Sequence, residues 1–436
     1  MDPEASTQPG RTRALRPRRF FYGWVIVAVS FLTLFLVVGT RFSLGVFYVA
    51  ILEAYGWSRA QTAGAFSLML VVHAAFSLVV GALFDRLGPR RLFPLGGLAI
   101  ALGFAACSQI RTVWQLYVFL GVVAAAGISS LAFVPHMALV SAWFVRRRGL
   151  ATGIAYAGIG GGQLLLAPAI QELVSAFGWR AAFLILAAVI CATVVPLTAV
   201  FQRRHPEELG LYPDGLPPPA AAGEAPATAA AREDWTLARA VRTPAFWLLM
   251  LVVMGLGVML NTLMLHLLAH LSDAGYDKLL GATLLGLTGA LRSLGGLGVG
   301  WLSDTLGREK AYTLGSALAF GGVVLLMGIH KTAPVWPLYL FVLFYGLGQG
   351  AMGPVYAAAT ADLFPGRSLG TILGLLEAAY GLGGAFGAFV AGYLYDVLGS
   401  YRGSFLIVLA AIALSCTSLW LAAPRRRQRP GKEEKP

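Results

Sequence analysis

Arginine and glutamate are rarely found in hydrocarbon without a task, and this chain places one of each deep in long apolar runs. Arg292 stands in "GALRSLGGLG" (289–298) and Glu377 in "LGLLEAAYGL" (373–382). A guanidinium at the centre of a membrane helix costs roughly +2.5 to +3.5 kcal/mol on insertion scales. Arg292 cannot shed its proton, so it needs water, a carboxylate or an anionic substrate beside it. Two readings are open. Arg292 pairs permanently with Glu377 and ties two helices together, or it is a bidentate anchor for the carboxylate of a substrate. Glu377 reads either as a fixed counter-ion or as a proton carrier, since low-dielectric surroundings favour the neutral acid and suit a group that loads and releases protons. His73 is the competing carrier, because histidine titrates near neutrality. A lone intramembrane histidine equally serves as a hydrogen bond between helices. Arg41, Asn261 and His266 complete the candidate substrate contacts, with His136 one residue after Pro135.

The elements that must position these groups are apolar and long. Of 436 residues, 58% are hydrophobic and 12% charged, and the mean hydropathy is +0.73. A soluble domain needs far more charge on its surface. Runs of about 20 apolar residues, long enough for a hydrocarbon core of roughly 30 Å, recur along the chain. Twelve spans are predicted, near 22–49, 61–84, 92–110, 114–143, 150–175, 180–201, 245–270, 279–303, 311–330, 335–361, 369–395 and 403–423. By helix counting, Arg292 (span 8), Glu377 (span 11) and His73 (span 2) fall near mid-depth. Arg41 (span 1) and His266 (span 7) fall in the outer third, and His136 (span 4) in the inner third.

Charge sets the expected orientation. With both termini inside, the inner segments hold 25 Lys and Arg, the outer segments and helix ends hold 7, and Arg292 is the remaining one of 33. That bias follows the positive-inside rule and accounts for the net charge of +13 without nucleic acid. "RTRALRPRRFF" reads as an inside anchor, with no cleavage site after it. Cys107, Cys191 and Cys416 read as free core thiols. Arginine outnumbers lysine 28 to 5 and Asn261 is the one asparagine, which suggests a GC-rich, bacterial genome. Trp24, Tyr48, Trp57, Trp143 and Trp336 read as interfacial belt residues.

The chain also repeats. Residues 202–243 are polar and rich in Pro and Ala, and read as a cytoplasmic linker dividing the spans six and six. Gly81, Leu83, Asp85, Leu87 and Gly88 of "GALFDRLGPRR" recur 219 positions later as Gly300, Leu302, Asp304, Leu306 and Gly307 of "GWLSDTLGREK". Pro135 and Pro354, and Arg148 and Arg367, stand at the same offset, as do His73 and Arg292. "GWRAAF" (178–183) echoes "GSYRGSF" (399–405) with small insertions. Duplication follows. Two like halves with their starts on one side form the plan of a transporter with a midplane site between them. The expected domains are a tail (1–21), a six-helix bundle (22–201), the linker (202–243), a second bundle (244–423) and a tail (424–436).

"GALFDRLGPRR" and its copy resemble the loop motif of the major facilitator superfamily, over the whole membrane region. The resemblance implies an all-α fold of twelve transmembrane helices in two six-helix pseudo-repeats. Asp85, with Arg86, Arg90 and Arg91 close by, sits where span 2 leaves the membrane. A carboxylate there can meet the N-terminus of span 11 in the other half and gain roughly 0.3–1 kcal/mol from its dipole. Such a contact latches the inner gate in one state and breaks in the other; a plain stop-transfer charge cluster is the competing reading. Asp304 and Arg308 repeat the arrangement, and Gly88 and Gly307 read as turn residues. "FSLGVFYVAILEAYGWSRAQ", "RRRGLATGIAYAGIGGG" and "HPEELGLYPDG" resemble the bacterial branch related to monocarboxylate transporters and oxalate–formate exchangers, whose members move small organic anions, often with a proton. That branch implies an arginine eight residues before the motif aspartate of span 8, where Gly296 stands; Arg292 lies one helical turn further out on roughly the same face.

The expected protein is a proton-coupled carrier of a small organic anion. A monomer in the bacterial inner membrane is expected, with both termini cytoplasmic and neither cofactor nor metal. Glycine runs such as "GIGGG" and "GLGGAFGAF" suit helices that pack closely and slide. Two rivals stand beside this reading. A proton-driven exporter of drug-like compounds is opposed by "LYVFLGVVAAAGISS" in span 4, which lacks the arginine of that family's motif. A non-transporting sensor would usually carry a long regulatory domain, and the tails are short. There is no P-loop, metal-spaced Cys/His set or GxSxG elbow, so no enzyme is expected and transport must be driven by gradients.

Overall fold

The computed structural model describes residues 21–215, 235–330, 334–365 and 368–422, which are helical, with no strand among them. Ten of these helices are long and apolar enough to cross a membrane, and one, Arg148–Phe201, holds two crossings joined at Gly178 (φ 79°). With the helix Lys278–Leu306, which is not among the ten, the described residues form twelve spans. Span 1 is Gly23–Phe42 continued by Gly45–Tyr55. Span 2 is Arg59–Leu87, span 3 Pro89–Cys107, and span 4 runs from Val113 to Trp143. Spans 5 and 6 share Arg148–Phe201. Spans 7 to 12 are Pro244–Asp273, Lys278–Leu306, Arg308–Met327, Trp336–Leu363, Leu369–Leu398 and Arg402–Ala422. The turns between spans 2 and 3 and between spans 8 and 9 each rest on a glycine at positive φ, Gly88 at 70° and Gly307 at 94°.

Two spans that the sequence predicts as continuous are broken. Span 1 breaks at Ser43–Leu44, where the Ser43 hydroxyl donates to the Gly39 carbonyl at 2.9 Å. Gly45 then packs on the Met264 and Leu265 carbonyls, where a Cβ would lie 2.7 Å from the first. Span 4 carries a π-helical stretch, Tyr117–Ala124, and breaks at Leu131–Ala132. Pro135 has no N–H for the Leu131 carbonyl, so the helix restarts there. Breaks of this kind are tolerated at membrane depth where protein covers the freed backbone.

Tyr48 and Trp143 are corrected from belt to core. Both are fully buried; Trp143 Nε1 donates to the Arg203 carbonyl at 2.9 Å, and the Tyr48 ring meets His266 edge-on. Cys107 is buried, but Cys191 is exposed on the bundle surface; no described cysteine is bridged.

The halves touch along spans 2 and 11 and along spans 5 and 8. The end of the bundle that carries residues 202–215 is here called the linker face, and the opposite end the far face. From mid-depth to the far face, small residues let the halves meet. A Cβ on Gly381 would lie 2.8 Å from the Ala74 methyl, one on Gly392 2.7 Å from the Arg59 carbonyl, and one on Gly160 2.8 Å from the Gly289 carbonyl. Seven residues towards the linker face, on the same sides of the same helices, Gly81, Gly374 and Gly153 meet nothing within 4 Å. The halves are therefore in contact on the far side of mid-depth and part towards the linker face.

Candidate functional site

Arg292 and Arg41 come together at mid-depth beside Phe42; for Arg41 this corrects the expected outer third, because span 1 continues beyond Phe42 as Gly45–Tyr55. The Arg292 guanidinium lies 4.2 Å from the Phe42 ring centroid and that of Arg41 5.4 Å from it. The break after Phe42 turns this corner of span 1 towards the centre. Span 8 is pressed there from behind by span 10, since a Cβ on Gly350 would overlap the Arg292 carbonyl oxygen. Arg292 is 7% exposed and donates through Nη2 to Gln163 Oε1 at 3.0 Å. Arg41 Nη2 is buried without a hydrogen-bond partner among the described residues.

Arg292 has no carboxylate within ion-pair distance among the described residues, so the first of the two readings, a pair with Glu377, is not met in this conformation. Glu377 instead accepts from the Tyr356 hydroxyl of span 10 at 3.4 Å and lies in the field of Arg41, with Tyr380 a turn away. Asn261 donates to the Gly257 carbonyl at 3.1 Å. Arg41, Asn261, Phe66, Met69 and Met264 line a cavity of about 30 Å³, room for a water or two.

The two histidines are drawn into packing. His266 Nε2 donates to the Ala388 carbonyl at 2.8 Å, which leaves Nδ1 to accept from the Tyr401 hydroxyl at 3.1 Å. Both nitrogens are occupied and the ring is fully buried, so the expectation of a substrate contact is corrected to a tie between spans 7, 11 and 12. His73 does not face Arg292 across the axis; its Nδ1 is bonded to Ser129 Oγ of span 4 at 2.9 Å, within its own half. His136 stacks on Phe93 at 4.5 Å and bonds the Ala132 carbonyl, away from the central groups.

The gating residues also sit differently from the expectation. Asp85 does not meet span 11. Its carboxylate accepts from Arg204 Nη2 at 2.6 Å and its carbonyl from Nη1 at 2.7 Å, so its partner is the start of the linker. Arg86 and Arg90 line the same open groove, and Arg90 Nε donates to the Ala199 carbonyl. Arg308 pairs with Asp362 at 3.0 Å. The Asp304 side chain and Arg367 lie outside the described residues.

The sequence reading missed two groups. Gln163 is the partner of Arg292, and its only signal is an amide in the apolar run "GIGGGQLLLAP". At the far face, Asp396 of span 11 accepts from the backbone N–H groups of Arg59 and Ala60, at 2.9 and 2.7 Å, and so caps span 2 from the other half. Arg59 pairs with Asp273 at 2.7 Å and lies 3.6 Å over the Tyr395 ring, and Lys278 pairs with Glu53 at 2.6 Å. These residues were legible only as stray charges near helix ends.

Two six-span halves around a central site built from facing helices define a secondary transporter. The family model of the Major Facilitator Superfamily matches residues 30–344 and 299–436, and the chain belongs to that superfamily. Monocarboxylate transporter 13 of Bos taurus is 30% identical over 403 residues, covering 92% of this chain and 89% of the relative. Monocarboxylate transporter 11 of Homo sapiens is 31% identical over 415 residues, covering 93% and 83%. An uncharacterized MFS-type transporter of Bacillus subtilis, YcxA, is 25% identical, covering 90% and 93%. Among solved structures, a bacterial homolog of the human lysosomal transporter Spinster, inward-facing and unoccupied, superposes with a TM-score of 0.73 at 15% identity, covering 94% of this chain and 99% of that one. That likeness supports the fold alone.

Proposed function

We propose that this protein carries a small organic anion, a monocarboxylate, across the membrane together with protons by alternating access. One observation carries the reading: buried Arg292 and half-buried Arg41 share the centre with one carboxylate, Glu377, among the described residues, and Arg41 Nη2 has no hydrogen-bond partner among them. A centre with a surplus of fixed positive charge in a low-dielectric bundle favours an anion. The names of the monocarboxylate transporters to which the chain is similar support a carboxylate.

In this reading Arg292 holds the substrate carboxylate, with Arg41 and Asn261 beside it, and Glu377 carries the proton. The bundles 22–201 and 244–423 rock about mid-depth, joined by 202–243, and the protein works as a monomer. The excess of basic residues makes the linker face cytoplasmic, in a bacterial inner membrane. The halves part towards that face, so the conformation is the inward-open one. In the opposite state Asp85 leaves Arg204 and caps span 11; Arg86, Arg90, Asp304 and Arg308 belong to the same gate.

Uptake by purified protein in proteoliposomes, across a panel of small acids with and without an imposed pH gradient, tests the reading. At least one monocarboxylate is expected to accumulate, and faster when the opposite compartment is acidic. No gradient-stimulated uptake of any acid in the panel overturns it.

A further inference from the structure

Gln163 is fully buried at the middle of span 5, fifteen residues after Arg148, where that helix begins. Its amide reaches out of its own half. Nε2 donates to the Leu285 carbonyl of span 8 at 2.8 Å, with Met264 Sδ at 3.2 Å and Thr288 Oγ1 at 3.4 Å. The Leu285 carbonyl fixes which end of the amide is which: the NH2 group must face it, so Oε1 faces Arg292 Nη2 at 3.0 Å. The reverse orientation would set donor against donor and acceptor against acceptor. Space for the side chain is reserved by glycine, since a Cβ on Gly289 would lie 2.6 Å from Oε1. No other hydrogen-bond acceptor is given to the Arg292 guanidinium by the described residues; the Phe42 ring covers its face.

We infer that Gln163 is a positioning residue of the carrier, whose amide oxygen holds the Arg292 guanidinium through the part of the cycle in which no substrate carboxylate does. The inference rests on the reading of Arg292 as the substrate anchor. A buried guanidinium left without an acceptor is costly, and any carrier that performs net transport must return once per cycle without substrate. Exchange of internal for external substrate skips that return. A neutral amide is the right kind of stand-in. It accepts one hydrogen bond from the cation, yet it is a weaker partner than a bidentate carboxylate and yields to one. Gln163 and Arg292 come from opposite halves but lie at the same mid-depth, near the point about which the halves rock. Their bond survives the motion that separates groups at either face. A carboxylate in place of the amide would be a permanent counter-ion and would compete with substrate.

The test uses Gln163→Leu and Gln163→Glu in proteoliposomes, with the monocarboxylate that wild-type protein moves fastest. For each, net uptake into empty vesicles, exchange into vesicles loaded with the same acid, and KM are measured. Gln163→Leu is expected to lower the ratio of net uptake to exchange at least tenfold. Gln163→Glu is expected to raise KM at least tenfold, because its carboxylate occupies the fork. If net uptake and exchange fall in parallel in Gln163→Leu, the residue only packs the two halves and the inference is overturned. If Gln163→Leu does not fold, the nearly isosteric Gln163→Glu decides, and an unchanged KM overturns it. Arg292→Ala is run alongside: binding of the acid retained there sinks the anchor reading itself, whereas binding lost there with an unmoved ratio in Gln163→Leu sinks this inference alone.

Discussion

At the scale of single residues, the chemistry follows from where charge is left uncompensated. Arg292 bonds a neutral amide and Arg41 Nη2 has no hydrogen-bond partner among the described residues, so in the proposed reading both guanidiniums are available to an anion. Arg292→Lys keeps the charge but loses the planar fork and the stacking on Phe42. KM for the transported acid is expected to rise at least tenfold, with the amount of folded protein in the membrane unchanged. Uptake kinetics and size-exclusion profiles of the purified variant check this, and an unchanged KM removes Arg292 from the site. Arg292, Arg41 and Glu377 were legible in the sequence because a charge in an apolar run stands out and needs a reason. Their pairing was not legible. Helix counting gives depth only where the span bounds are right, which they were not for Arg41, and never the direction a side chain faces; of its two readings for Arg292, the pair with Glu377 fails because the fold sets Glu377 nearer Arg41. His266 failed for the opposite reason: its partners, a backbone carbonyl at Ala388 and a tyrosine at Tyr401, lie more than 100 residues away and give no local signal. Gln163 carried no charge to betray it.

At the scale of elements, the number and order of the spans follow from apolar run length, and their breaks do not. Hydropathy averaged over a span carries it through the interruption at Ser43–Leu44, because the apolar runs on either side outweigh the short polar stretch Gly39–Ser43, and run length says nothing of where a helix bends. Spans 2 and 11 cross at mid-depth and are tied at the far face by a cap that one half supplies to the other. Asp396 satisfies two N–H groups that the start of a helix otherwise leaves without partners, and Arg59 is held from both sides by Asp273 and Tyr395. Surface ion pairs such as Lys278–Glu53 contribute little by comparison. Removing a cap of this kind costs about 1 kcal/mol. In the proposed cycle the contact exists only while the far face is closed, so the whole cost falls on one side of the equilibrium. Asp396→Ala is therefore expected to shift the ratio of linker-face-open to far-face-open protein about fivefold towards the latter. Spin-label distances across the far face, measured by double electron–electron resonance, read that ratio. Unchanged distance distributions would show that the cap is incidental to the motion.

At the scale of the whole molecule, the duplicated plan puts two guanidiniums between two halves, and in the proposed cycle, with the halves parting on one side at a time, coupling to protons acts through that centre. Glu377 is its carboxylate. It is positioned by Tyr356 and lies in the field of Arg41, and it stands on span 11 between the far-face contacts and the open linker side. While Glu377 is ionised it offsets one of the two guanidiniums. Once protonated it offsets neither, and the centre gains a full positive charge in its favour for an anion. The sign of the pH effect follows: acid on the loading side tightens substrate binding, and alkali on the releasing side takes the proton away and loosens it. In the proposed cycle proton and anion then cross together, and the pH difference drives accumulation. Glu377→Gln fixes the neutral state. Binding should no longer depend on pH, exchange of internal for external acid should persist, and accumulation under an imposed pH gradient should fall to the level reached without one. Uptake, counterflow and KM across a pH series in the same proteoliposomes separate these outcomes. Accumulation that still responds to the gradient in Glu377→Gln would make the carboxylate structural and pass the proton to His73, whose ring is bonded to Ser129 through Nδ1.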